Sequence, residues 1–299
     1  MARLRDLFTG RKLMVAAALV LACGPLSPAP VPPSSGPAPA APPPAIPAPD
    51  APPPPETHPP STPALPPAPP DPFPEGREVT VAHLFEALEV IVPQIAASDA
   101  VRADFRALVH DFGLPASAEL YDKYVRVRIA FEATRDGGLW GVRWAITNRP
   151  HGSDEIWASW KRLTVDSFDP QAPTAIAECD EITALFCFVA RKLGVPDVGF
   201  ISGGWYHIVA AWAIRVPGAR EVRIGVPTSQ VFLTPEATLG TRELKPDRPK
   251  VIWRYVRRDV RDDETLPPHV ARFLVQQVFL HGGRPASELQ QMRNARGGS

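Results

Sequence analysis

Residues Glu178–Pro196 read ECDEITALFCFVARKLGVP. Ile182, Leu185, Phe186, Val189 and Leu193 recur at helical spacing, which predicts an amphipathic helix over Asp180–Leu193. Gly194-Val195-Pro196 closes it, since glycine ends helices readily and proline cannot continue them. Cys179 stands just ahead of the run. A thiol at a helix N-terminus feels the positive end of the helix dipole and backbone N–H groups without helical acceptors. Both favour the thiolate, the nucleophilic form. Asp180 and Glu181 would repel that thiolate, so a reactive Cys179 needs a cationic neighbour, and a histidinium is the usual one.

The chain downstream supplies a histidine. Val195–Ile201 reads as a strand, Ser202-Gly203-Gly204 as a turn, Trp205–Val216 as a second strand and Glu221–Val226 as a third, after a Pro217-Gly218 turn. His207 is the only histidine of this block, and it is the candidate base that would move the proton. Trp205 and Asp180 are candidates for lining the cleft. Cys187, among Leu185, Phe186, Phe188 and Val189, reads as core. Two cysteines eight residues apart on one helix are separated by roughly 12 Å, whereas a disulfide needs Cα atoms about 4.4 to 6.8 Å apart. Cys179 and Cys187 are therefore expected to remain unpaired with each other.

In this order the segment resembles the transglutaminase-like superfamily of papain-type cysteine enzymes. The matching residues are Cys179-Asp180-Glu181-Ile182-Thr183-Ala184-Leu185, the turn Leu193-Gly194-Val195-Pro196, and His207 followed by Ala211-Trp212. Val226-Pro227-Thr228 matches the position where the family carries Asp-Pro-Thr. The likeness covers roughly Ala177–Gln230. It implies an α+β fold in which a helix carrying cysteine at its N-terminus packs on an antiparallel sheet. It also implies acyl transfer at amide bonds by Cys179 and His207, with no cofactor. The departure is Val226, which has no group to orient an imidazole in place of the expected acid. Gln230 is the first choice for that role, with Ser229 and Thr228 as alternatives.

Of the 39 prolines, 25 lie between Pro25 and Pro74, in a segment of little beyond Pro, Ala and Ser. Such a segment buries too little surface to offset its ordering entropy and reads as a polyproline-II-like tether. At roughly 3.1 Å per residue it could reach on the order of 150 Å. Before it, Arg3, Arg5, Arg11 and Lys12 precede an apolar run over Leu13–Ala22, the pattern of an export signal. Val20-Leu21-Ala22-Cys23-Gly24 resembles a bacterial lipobox, so Cys23 is the expected lipidation site and the chain an envelope lipoprotein held to a membrane. The resulting division is 1–22 signal, 23–74 tether, 75–165 a mainly helical region, 166–235 the transglutaminase-like core and 236–299 a C-terminal helical region.

The remaining segments are less uniform. Leu84, Leu88, Ile91 and Val92, and then Val101, Phe105, Leu108 and Val109, form two helical stripes. Residues 121–149 alternate over Val125, Val127, Ile129 and Phe131, and again over Trp140–Ile146 around Asp136-Gly137-Gly138. A hairpin and a helical reading both fit them. Ser153–Leu163 reads as a helix. Trp140, Trp144, Trp157 and Trp160 read either as core or as an aromatic platform for a glycan or peptide. From residue 251 the tail reads mostly helical, through Ile252, Tyr255 and Val256 and then Val270–Val278.

Net charge is zero, which gives no electrostatic footprint for a nucleic-acid partner. The histidines are scattered and no C-x-x-C occurs, so no metal site is predicted. The expected function is a membrane-tethered cysteine enzyme acting on peptide or protein amides. The alternative is a catalytically inactive surface lipoprotein binding peptide or envelope glycan.

Overall fold

The computed structural model describes Phe73 and residues 77–147, 152–204, 207–216, 218, 221–229 and 260–297. The segment expected to be an export signal, Cys23, Trp205, Gln230 and the Ile252–Val256 pattern lie outside these residues. Within them the fold is mixed α+β with small sheets.

Three helices come first. Helix α1 (Val81–Ala96) is capped by the Thr80 hydroxyl, which accepts from the His83 N–H. Helix α2 (Asp99–Phe112) is capped by Ser98 and ends at Gly113, whose φ of 62° lies in the left-handed region. Helix α3 (Ala118–Thr134) is capped by Ser117. It settles the ambiguity of residues 121–149. Val125, Val127, Ile129 and Phe131 belong to one helix, not to a hairpin strand. The reason is its position, in contact with α1, α2 and α6 (Pro268–His281) as well as α5 (Cys179–Lys192). A helix covered on nearly every side carries apolar residues all round and loses the amphipathic stripe that would reveal it. Even Arg128 and Glu132 of α3 are buried, and the Arg128 guanidinium is held by Asp104 at 2.5 Å and by the Arg284 carbonyl.

Strand β2 (Val142–Trp144) follows and pairs in parallel with β3 (Ala175–Ala177), with α4 (Asp154–Lys161) in the chain between them. Trp140, Trp157 and Trp160 are buried here in edge-to-face contacts, with ring centroids 5.5 and 5.1 Å apart. The indole N–H of Trp140 reaches the Leu274 carbonyl and that of Trp160 reaches the Thr174 hydroxyl. These three rings are therefore core and offer no platform to a ligand; Trp144 is half-buried.

Strand β3 runs directly into α5, which packs on α3 and on an antiparallel sheet. The sheet order is β4 (Val198–Gly204), β5 (His207–Ile214) and β6 (Val222–Val226). Ser202-Gly203-Gly204, expected as a turn, belongs instead to β4, with a register irregularity between Ser202 and Gly204. Gly218, with φ 73°, supplies the positive dihedral between β5 and β6.

The last elements close the core from the other end of the chain. Strand β7 (Thr265–Leu266) pairs with β1 (Val79–Thr80), α6 packs on α1 and α3, and α7 (Ala286–Gly297) completes the chain. Phe73, inside the segment read as tether, is buried, and its carbonyl accepts from Arg272. It is the one Phe, Tyr or Trp of the proline-rich stretch. Among the described residues no single helix is long and apolar enough to cross a membrane.

Candidate active site

Cys179 is the first residue of α5. The cap is Glu178, whose carboxylate accepts from the third residue of the helix, while its own N–H donates to Glu181 Oε2 at 2.7 Å. This reciprocal pairing fixes the helix start. Glu178 Oε1 also accepts from the Thr147 N–H and hydroxyl, at 2.7 and 3.1 Å. The parallel pairing of β2 with β3 brings Thr147 there. The cysteine is thus held at the junction of a strand and a helix, both anchored.

The first turn of α5 lies against the start of β5. The backbone N–H groups of Ile208 and Asp180 favour the Cys179 thiolate. One turn further on, Thr183 Oγ1 lies 3.5 Å from the Ile208 carbonyl. Asp180 is buried and lies within electrostatic reach of the His207 ring. The structure therefore brings the start of α5, with Cys179 and Asp180, against the start of β5, with His207. Cys187, on the same helix, is fully buried and unpaired, and Cys179 is also a free thiol.

The partner of the imidazole is Ser229. Its hydroxyl oxygen lies 3.1 Å from His207 Nε2, and both residues are buried. Sheet register explains the pairing. Val226, where the family likeness places the acid, sits opposite Ala210 and faces the core, fully buried. The ladder runs Ala210↔Val226, Ala211↔Gly225, Trp212↔Ile224. Extending it past Ala210 to the start of β5 brings Ser229 opposite His207. The segment is pinned just before that point. Thr228 Oγ1 lies 2.8 Å from Thr183 Oγ1 on α5, and the Thr228 carbonyl accepts from the Asp136 N–H at 2.9 Å. Asp136 itself is fixed by the Trp144 N–H at 2.8 Å.

Ser229 was one of three sequence candidates, behind Gln230. Counting equally outward from Gly218 along both strands would have ranked it first, because paired residues of a hairpin are equidistant from its turn. The roles of Thr183, Thr228 and Asp136 had no sequence signal, since each depends on which element packs beside it.

The electrostatics favour a neutral pair. Burial pushes the Cys179 thiol above its ordinary value, and the Asp180 and Glu178 carboxylates push the same way. The N–H groups of Ile208 and Asp180 pull against this without reversing it. Burial also lowers the His207 imidazole, against the opposing attraction of Asp180. Both shifts favour the neutral forms, the thiol of Cys179 and the uncharged imidazole of His207. Among the described residues no group of three or more His, Cys, Asp or Glu side chains could hold a metal ion. No protein-family model, curated protein or solved structure matches this chain.

Proposed function

We propose that the protein is a cysteine-dependent acyl-transfer enzyme acting on peptide or protein amides, built on a transglutaminase-like, papain-type core. The observation that carries this reading is the convergence of three elements. The Ile208 N–H at the start of β5 acts on the thiol at the start of α5, and the ring of His207, the residue before Ile208, is held through Nε2 by Ser229. With Nε2 engaged, Nδ1 is the nitrogen that takes the thiol proton.

The chemistry follows in two stages. As the Cys179 sulfur attacks the amide carbonyl carbon, its proton passes to His207 Nδ1. A tetrahedral intermediate forms, and His207 returns the proton to the leaving amine, which departs and leaves a thioester on Cys179. Water or an amine then attacks the thioester with His207 again as base, regenerating the thiol. The oxyanion needs donors fixed in advance. Of the first-turn N–H groups of α5, the capping box takes those of Glu178 and Glu181, and that of Asp180 favours the thiolate. The helix supplies no acceptor for the Cys179 N–H, and that group is the donor assigned to the oxyanion. The export signal, lipidated Cys23 and proline tether would place this activity at the cell envelope.

A neutral resting pair whose imidazole is held at Nε2 by a hydroxyl also favours a second reading, a non-catalytic lipoprotein that uses the same site to bind peptide. One experiment separates the two. The full chain is incubated with fluorescent casein, alone and with dansylcadaverine as amine acceptor. Casein cleavage or dansyl incorporation that Cys179→Ala and His207→Ala both abolish supports acyl transfer. Equal turnover by Cys179→Ala overturns it, and peptide binding without turnover, undiminished in Cys179→Ala, selects the binding reading.

A further inference from the structure

We infer that Ser229 is the positioning residue of this site: its hydroxyl, set opposite His207 by the β5–β6 register, holds the imidazole in the tautomer protonated at Nε2 and occupies the place of a triad acid. The inference deepens the acyl-transfer reading and rests on it for the word triad, but the Ser229–His207 contact can be tested independently.

Three observations converge on it. The contact is short and dry: the Ser229 oxygen is 3.1 Å from Nε2, and the two residues are 1% and 5% exposed. The backbone carrying it is fixed from two sides, by Thr183 on α5 and by the Asp136 N–H at the end of α3. Third, among the described residues the carboxylate that acts on His207 comes from the start of α5, namely Asp180. β4 contains no titratable residue, and neither does the stretch from Ile224 to Ser229.

A serine hydroxyl can both donate and accept. Facing an Nε2–H it accepts, which leaves Nδ1 unprotonated and able to act as base. It differs from a carboxylate in one respect. A hydroxyl orients the ring but adds no negative charge to stabilise the imidazolium, whereas a buried acid does both. Burial then leaves the pair neutral. The position of the missing acid is thus Ser229 and not Val226, and a single substitution should install it.

The test uses the full chain with ¹⁵N-labelled histidine, the His207 signals being identified by their loss in His207→Ala. In the wild type the ring nitrogens should report the Nε2–H tautomer. Ser229→Ala should shift the signals toward a mixed tautomer, and Ser229→Thr, which keeps the hydroxyl, should restore them. Ser229→Asp should raise the His207 titration by about one pH unit, a tenfold change in its acid constant. It should also speed alkylation of Cys179 by iodoacetamide at pH 7. An unchanged tautomer in Ser229→Ala, with the protein folded by backbone spectrum, overturns the inference. So does a His207 titration that does not move in a folded Ser229→Asp. If Ser229→Asp fails to fold, the Ala and Thr variants decide alone. A tautomer that responds as expected while no variant turns over an amide sustains the positioning role and refutes the acyl-transfer reading instead.

Discussion

Replacing Thr183 by valine removes one hydroxyl and keeps the side-chain shape. In the structure that hydroxyl lies 2.8 Å from Thr228 Oγ1, both residues being fully buried, and 3.5 Å from the Ile208 carbonyl. Only the first contact is a hydrogen bond of good length. Its loss strands the Thr228 hydroxyl without water to replace the partner. A buried orphan of this kind costs about 1–3 kcal/mol. For a domain of this size about 1 kcal/mol corresponds to about 2–4 °C, so the melting temperature should fall by roughly 2–12 °C. The assay is urea denaturation of Thr183→Val, Thr228→Val and the double variant, with the slope checked for constancy. Removing both hydroxyls leaves no orphan between them, so the double variant should be more stable than the sum of the single losses by about 1 kcal/mol or more. Additive losses would show that the two hydroxyls do not depend on each other and would sink the reasoning. The His207 tautomer should loosen in Thr183→Val, because Thr228 immediately precedes Ser229.

Other expectations concern charge and backbone. Alkylation of Cys179 by iodoacetamide, followed on its own peptide by mass spectrometry, should titrate above the ordinary thiol value of 9.0, because burial and two carboxylates oppose the thiolate. A rate plateau reached near neutral pH would contradict this and indicate a preformed ion pair. The folded-state pKa of His207 lies below its ordinary value of 6.5. The unfolded chain therefore binds that proton first, and stability should fall as pH drops from 6.5 toward the folded value. His207→Gln should lose this part of the acid slope, and an identical slope would contradict the direction. A Cβ at Gly138 would stand 2.6 Å from the Glu132 carbonyl oxygen and 2.7 Å from that of Arg135. Both neighbours are backbone, so Gly138→Ala must displace the turn carrying Asp136. It should cost more than about 1 kcal/mol and disturb the Asp136–Thr228 bond; wild-type stability would rule out that geometry.

The elements legible in the sequence were those whose pattern is local. The α5 stripe, its Gly-Val-Pro end, the two strands after it and the unpaired Cys187 could all be read from spacing alone. Helix α3 could not, because burial on all sides erases amphipathic periodicity, leaving Val125–Phe131 looking like a strand. The tryptophans around α4 were ambiguous for a related reason. An aromatic cluster reads the same whether it faces a ligand or its own core, and only the packing of Trp140 against Trp160 and Leu274 distinguishes them. Cys179 and His207 were visible as residue types in a plausible order. The ring's partner required a register, since the motif Val226-Pro227-Thr228 aligned by residue type points three positions short of the residue that faces His207. Motif likeness is one-dimensional, and strand pairing is not.

The closing of the core by β7 and α6 also sets a schedule for the nascent chain. Val79 pairs with Leu266, Trp140 donates to the Leu274 carbonyl, and α1 and α3 both pack on α6. About 170 residues separate the end of α1 from the start of α6, and at ribosomal rates of about 5–20 residues per second that interval lasts roughly 10–35 s. Throughout it, apolar residues such as Leu84, Leu88 and Ile91 lack part of their native cover. A chain with so late a keystone stays open to whatever binds unfolded segments, and it remains thin enough to be threaded until β7 and α6 have been made.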